Sequence, residues 1–580
     1  MKKSTPFIAL GLAVLASHAQ AQTIYPLTRA EILSDSKFDF KVEFPGAPSA
    51  SAVKVTINGK DPAKVLGGSF KFIEKEDGLG HSAYLIRDAV LKAPGQYVIE
   101  ASQGDKKSSV TWEVYNPTQR KAKNVIFFVG DGLSVAHRTA ARILSKGISE
   151  GKYGGELAID DMPSMALVST SGTDSVVTDS ANAMSAYTTG HKTCVNALGV
   201  YCASNKNTLE HPKVETIAEI VKRKRQMAVG VVTNTEIEDA TPAGMIAHTR
   251  RRADYNDIVK MFYDTQPDVI MGGGSPNFLP NSIPGSKRTD DVDYLKKFQS
   301  AGYSLVTTSS ELKSAQANPK TTKLLGLFNT GNIDGALDRK LLKKGTVDKF
   351  PDQPDLTDQV RTSLEVLSKN KNGFVLMVES GRIDKYAHSL DAERSIYDTI
   401  MLDNAVKVAK DFANKRQDTL IIVVGDHAHP VSIIGSYDDE RPGSLPREKL
   451  GTYADAKFPN YPKADSDGYP NKVDVSRRLA FIFGSYPDYC MDSKPYLDGE
   501  NVPAVAGTTA GTFVANEKYC GKPGAVRING NLPTDANSGV HSADDVVLTA
   551  MGPGSEKFRG RIDNTKVFRI MAEALGLGTK

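Results

Sequence analysis

Two kinds of hydrophobic spacing divide the chain. Over roughly residues 24–116, apolar side chains alternate with polar ones. Phe38, Phe40, Val42 and Phe44 do so, as do Val53, Val55 and Ile57 before an Asn58-Gly59 turn, and Val110, Trp112 and Val114. Period-two alternation between turn residues predicts half-buried strands, and several short ones in succession predict a small all-β, immunoglobulin-like sandwich over residues 22–118. From Asn124 onward the apolar residues come in unbroken runs: Val125–Val129, Ala228–Val232, Val269–Met271, Phe374–Val378, Leu420–Val424, Leu479–Phe483 and Val546–Met551. Runs of this kind predict strands buried on both faces. Val214–Arg225, Leu356–Ser368 and Ala392–Asn414 carry helical spacing between them. Residues 119–580 are therefore expected to form an α/β domain, a mainly parallel sheet covered by helices on both faces. A segment at about 430–535, rich in Tyr, Pro, Asp and Gly, breaks the rhythm. It reads as an insertion before a final strand and a closing helix near Val567–Leu575.

Composition narrows the class. Hydrophobic residues make up 40% and charged residues 24% of 580 residues, ordinary values for a chain that buries a large core. The net charge is +4, and Lys2 and Lys3 supply two of those charges at the extreme N-terminus. There is no dense Lys/Arg tract with interleaved aromatics, which argues against nucleic-acid recognition. Lys2-Lys3, the apolar run Pro6–Ala16 and Ala19-Gln20-Ala21 have the form of a secretory signal over residues 1–21. The run is too short to span a bilayer, and no later stretch is long and apolar enough. The expectation is a periplasmic or secreted protein with no membrane span after signal cleavage. Four cysteines in an exported chain predict disulfides, most simply the local pairs Cys194–Cys202 and Cys490–Cys520. Their wide spacing, without accompanying histidines, disfavours a zinc–cysteine site.

Candidate chemistry clusters where the buried runs end, which is where sites form in such sheets. Gly130-Asp131-Gly132 follows the first run. Glu379, Asp384-Lys385 and His388 follow the fourth, Gly425-Asp426-His427 follows the fifth, and His541 precedes the last. Asp384 and His388 are four apart, so one helical face can present both. Taken singly, each feature is bland: Gly-Asp-Gly is commonly a turn and a lone histidine commonly structural. His81, His137, His191, His211 and His248 are read as structural or surface. Converging oxygen and imidazole ligands, however, suit a multi-metal hydrolytic centre. Ser180, in Val177-Thr178-Asp179-Ser180-Ala181, is placed to open a helix, where backbone N–H groups favour a phosphate. By itself it is more simply read as an ordinary capping serine. No histidine base lies near it in sequence, so its activation calls for a metal. Asp239-Ala240-Thr241 is followed by Arg250-Arg251-Arg252, a triplet in which one guanidinium could hold two phosphate oxygens.

Together, and in this order, these motifs resemble the alkaline phosphatase family from about residue 120 to the C-terminus, weakly through 430–535. The resemblance implies hydrolysis of small phosphate monoesters with two Zn2+ and one Mg2+. One zinc would be held by Asp384, His388 and His541, and the second by Asp131, Asp426 and His427 beside the nucleophile Ser180. Asp131, Thr241 and Glu379 would hold magnesium. Arg252, four residues after His248, matches the phosphate-binding arginine. Asp239 and Lys385 match an acid–lysine pair of some bacterial members, which implies a role in ordering water near the magnesium and phosphate. A homodimer is compatible with the family.

Alternatives are a phosphodiesterase or sulfatase of the same superfamily, or a secreted binding protein with an inactive core. Ser180-Ala181-Asn182 lacks the C/S-x-P-x-R setting of sulfatases. In the insertion, Asp465, Asp467, Asn471 and Asp474 around Gly468 resemble a calcium loop, so Ca2+ is a further expectation beside the plainer reading, a polar turn.

Overall fold

The computed structural model describes residues 21–579, and the predicted leader lies outside them up to residue 20. The alternating region folds as two four-stranded sheets. One runs Thr23–Tyr25, Lys37–Pro45, His81–Val90, Ser69–Ile73 in spatial order; the other runs Glu31–Leu33, Lys106–Tyr115, Gly95–Gln103, Val53–Ile57. Trp112 is wholly buried between them, edge-on to Phe38 and Phe40 with ring centroids 5.9 and 5.8 Å away. Alternation predicts a solvated polar face here. In strand Lys37–Pro45 that face is buried instead, because it docks on residues 203–213 of the larger domain. Asp39 accepts from the Lys213 N–H at 2.8 Å, Glu43 accepts from the Ser204 N–H at 2.7 Å, and Lys41 lies 3.0 and 2.7 Å from Glu43 and Glu76.

The continuous runs form the middle of a ten-stranded sheet. Its spatial order is Ser304–Val306, Leu324–Leu327, Val269–Gly273, Ala228–Glu236, Phe374–Ser380, Asn124–Gly130, Thr419–Gly425, Val546–Met551, Ser164–Ser169, Arg559–Asp563. Every described pairing is parallel except those of Val546–Met551, which runs against both neighbours. Alternate residues serve opposite faces. Val125, Phe127 and Val129 pack with Met184 and Tyr187, whereas Ile126 and Phe128 pack with Ile400 and Leu402. That two-sided burial is why these segments contain no polar alternation.

One expected member of the sheet lies elsewhere. Leu479–Phe483 belongs to strand Arg477–Phe483 of a separate antiparallel sheet, beside Val431–Asp438 within the insertion. Its apolar run reflects burial against the domain, where Leu479 and Phe481 join the core cluster of Ile126 and Phe128. The expected cysteine pairs, Cys194–Cys202 and Cys490–Cys520, are both bonded. Among the described residues no helix is long and apolar enough to cross a membrane.

The segment in which calcium was expected folds as a turn. Asp465 Oδ1 accepts from the N–H groups of Asp467 and Tyr469, both at 2.9 Å, closing a turn. The Asp467 carboxylate lies 3.7 Å from Lys340 and that of Asp474 3.4 Å from Lys494, while Asn471 is exposed. These contacts are those of a polar turn, the plainer of the two readings, with Asp467 and Asp474 each beside a lysine.

Candidate active site

The sheet delivers the polar residues to one place by its topology. Asp131, Glu379 and Asp426 each lie at or just past the carboxyl end of one of three adjacent parallel strands, Asn124–Gly130, Phe374–Ser380 and Thr419–Gly425. Thr241 sits in the short helix Ala240–Ala243 beyond the next strand. Helix Arg382–His388 places Asp384, Lys385 and His388 above the same edge. His541 arrives on the approach to the antiparallel strand Val546–Met551, and strand order thus brings chain-distant residues together.

Ser180 is the first residue of helix Ser180–Thr189, capped by Asp179, whose carboxylate accepts from the Asn182 N–H at 3.1 Å. Its Oγ is buried, 3.4 Å from each Asp131 oxygen and 3.3 Å from His427 Nε2. Tertiary structure therefore supplies the histidine neighbour that is missing in sequence. His427 Nε2 also faces Asp131 at 3.2 Å and Asp426 at 3.4 Å. One imidazole N–H cannot serve two carboxylates and a hydroxyl together. Asp426 Oδ2 and His427 Nδ1 are buried without hydrogen-bond partners. Burial, then the neighbouring Asp131 charge, push the carboxyl groups of both Asp426 and Glu379 well above the usual range. Glu379 accepts from Thr233 and, at 3.1 Å, from Thr235; the Thr241 hydroxyl lies 3.4 Å from Asp131.

A second cluster adjoins it. His388 Nδ1 donates to the Gly539 carbonyl at 2.6 Å and His541 Nδ1 to the Thr178 carbonyl at 2.8 Å. With Nδ1 so engaged, each ring turns its Nε2 inward, and the two nitrogens stand 3.0 Å apart. Asp384 Oδ1 lies 3.2 Å from the first and 3.3 Å from the second.

A third group is cationic. Arg252 reaches Asp239 at 2.7 Å and Asp179 at 3.3 Å, and Asp239 reaches Lys385 at 2.9 Å on its other oxygen. Burial alone would raise the Asp239 carboxyl, but Lys385 and then Arg252 hold it below the ordinary carboxylate range. Arg252 is the one member of its triplet aimed at this place. Arg250 donates to the Val195 carbonyl and Arg251 sits beside Asp254.

Two neighbours were not singled out from sequence. His429 Nε2 lies 2.7 Å from Asp384 Oδ1, and Asp179 joins the Ser180 helix to Arg252. The signal for His429 was its place two residues beyond His427, projecting from the same turn. Asp179 carried no signal of its own beyond its place before Ser180.

Residues 122–577 match the family model described as alkaline phosphatase. The chain belongs to the alkaline phosphatase family. It is an enzyme of that family, and phosphomonoester hydrolysis is the activity that membership carries. The Escherichia coli (strain K12) alkaline phosphatase is 33% identical over 363 residues, 56% of this chain and 74% of that one. Alkaline phosphatase 3 of Bacillus subtilis (strain 168) is 29% identical over 495 residues, 83% and 94% of the respective chains. Among solved structures, Thermus thermophilus alkaline phosphatase covers 80% of this chain and 93% of its own, at 24% identity and a TM-score of 0.55, a likeness of fold.

Proposed function

We propose that this alkaline phosphatase hydrolyses phosphate monoesters through a phosphoserine on Ser180, in a site that holds two zinc ions and one magnesium. The observation carrying the metal reading is the charge and geometry of the buried ligands. Asp384 Oδ1, His388 Nε2 and His541 Nε2 are mutually 3.0–3.3 Å apart. Ligands roughly 2.0–2.1 Å from a tetrahedral zinc sit at about that separation. Two inward nitrogen lone pairs so close repel unless a cation or proton lies between them. Likewise Asp131 crowds against both Asp426 and Glu379, and Asp426 Oδ2 accepts no hydrogen bond. Asp384, His388 and His541 would hold the first zinc, and Asp131, Asp426 and His427 the second. Asp131, Thr241 and Glu379 would hold the magnesium.

The zinc pair, when bound, supplies Lewis acidity that lowers the Ser180 pKa and takes up charge on the departing oxygen. The protein does the rest. The helix beginning at Ser180 fixes Oγ for in-line attack and turns free N–H groups toward the phosphoryl group. Arg252, steadied by Asp179 and Asp239, offers its fork to two non-bridging oxygens. Ser180 Oγ attacks phosphorus, the P–O bond to the alcohol breaks, and the alcohol leaves with a proton. Water then attacks phosphorus in the phosphoserine, releasing inorganic phosphate and restoring the hydroxyl. Lys385 and Asp239 stand where they can order water beside that group.

The reading also includes export to the periplasm or medium, supported by the two disulfides. Residues 22–118 are proposed as a packing module, since the polar side of their sheet is spent on contacts with the larger domain.

Ser180→Ala tests the mechanism. It is expected to keep metal content while turnover falls by several orders of magnitude, and acid quenching should trap no phosphoenzyme. Near wild-type turnover would remove Ser180 from the role. A faster rate on a phosphate diester than on the matching monoester would favour the phosphodiesterase reading instead.

A further inference from the structure

The helix carrying Asp384, Lys385 and His388 is a single short element, Arg382–His388. Seven residues hold their shape poorly without outside support, since most helical stability in proteins comes from tertiary contacts. The insertion supplies such contacts at both ends. Glu500 Oε2 lies 3.1 Å from the Arg382 guanidinium at the start of the helix. Its other oxygen, Oε1, accepts from the Ser389 hydroxyl at 2.7 Å, one residue past the end. The next residue, Asn501, donates its side-chain N–H to the Ser389 carbonyl at 2.7 Å and its backbone N–H to Asp391 at 3.2 Å. The Arg382 guanidinium lies over the Tyr386 ring, 4.2 Å from its centroid, and donates to the Tyr386 hydroxyl at 2.6 Å. One carboxylate thus spans the helix that bears two of the first cluster's three ligands.

We propose that Glu500, with Asn501, is a positioning brace through which the insertion sets the helix Arg382–His388 and so the grip of Asp384 and His388 on the first zinc. Glu500 touches neither ligand. It acts by fixing the helix ends, and its charge matters because it pairs with Arg382. Asp131, Asp426 and His427 of the second zinc site stand on other elements and receive none of these contacts. The brace rests on the proposed zinc assignment, and the test separates the two.

Full-length zinc- and magnesium-loaded protein would be challenged with a colorimetric chelator, comparing wild type, Glu500→Gln and Glu500→Ala. Amide hydrogen exchange of residues 382–390 would be followed in metal-free samples of the same proteins. The expected result is selective: one of two zinc-release phases accelerates by about ten-fold in Glu500→Ala, within the range for losing an outer partner of a metal site. The other phase stays unchanged. Glu500→Gln, which keeps one acceptor oxygen but loses the charge and the second acceptor, falls between. Exchange in 382–390 rises in Glu500→Ala while that of helix Ser180–Thr189 does not. Unchanged release and exchange would overturn the brace. So would equal acceleration of both phases, which marks general loosening. Wild-type protein that binds no zinc would refute the metal reading instead, and the exchange comparison would still decide whether Glu500 braces the helix.

Discussion

At the scale of single residues, the three neighbouring arginines make the sharpest comparison. Arg252→Ala is expected to raise KM and the phosphate inhibition constant by one to two orders of magnitude, with a smaller fall in kcat, because a fork on non-bridging oxygens binds ground state and product too. Arg250→Ala and Arg251→Ala, measured side by side, should leave both constants within about two-fold. His429→Ala should weaken zinc at the Asp384 cluster by about 10- to 100-fold, since His429 meets Asp384 at 2.7 Å and such outer partners orient ligands. Equilibrium dialysis against graded zinc reads this directly, and unchanged affinity would show that Asp384 needs no partner. The residues that gather in these clusters were legible in sequence because strand ends concentrate them and the family order recurs. The neighbours of those ligands were not. Nothing in Gly425-Asp426-His427-Ala428-His429 says which histidine turns toward Asp384, because a change of side at a strand exit depends on the turn. The histidine beside Ser180 is likewise 247 residues away and comes into reach only through sheet order.

At the scale of elements, the serine helix shows how tightly the site is backed. All ten residues from Ser180 to Thr189 are buried, and the helix ends at Gly190 with φ +76°. A Cβ at Gly190 would also meet Phe568 at 2.7 Å. Gly190→Ala should therefore cost about 2–4 kcal/mol, combining left-handed backbone strain with overpacking. Thermal melting checks it, and a melting temperature equal to wild type would show that the closing helix Thr565–Leu575 gives way freely. Interior elements were readable because burial on both faces leaves an unmistakable apolar run. That same rule misplaced Leu479–Phe483, since burial against a domain surface produces the same composition as burial in its sheet. Strand Ser164–Ser169 escaped for the opposite reason: it is half solvated, with Met165 and Leu167 exposed.

At the scale of the whole molecule, the N-terminal sheets meet the larger region through an apolar cluster of Tyr25, Tyr201, Ala203 and Val214, and buried charge lies beside it. Lys41 is almost fully buried between Glu43 and Glu76, with His81 3.0 Å from the latter. Removing one partner of such a group leaves the others uncompensated, so Lys41→Met should cost about 3–5 kcal/mol. Limited proteolysis should then cut within residues 203–213, the segment that lies on this face. Unaltered melting and cleavage would show that the junction carries no stability. His541 stands ahead of strand Val546–Met551, far along the chain from the serine helix. His541 donates to the Thr178 carbonyl across 363 residues of chain, and only then does its ring face His388. A growing chain therefore lacks the ring that faces His388 until residue 541 has been made. Folding must close one of its longest loops late, which slows it. Until that loop closes, Asp384 and His388 face a cluster that lacks its third member.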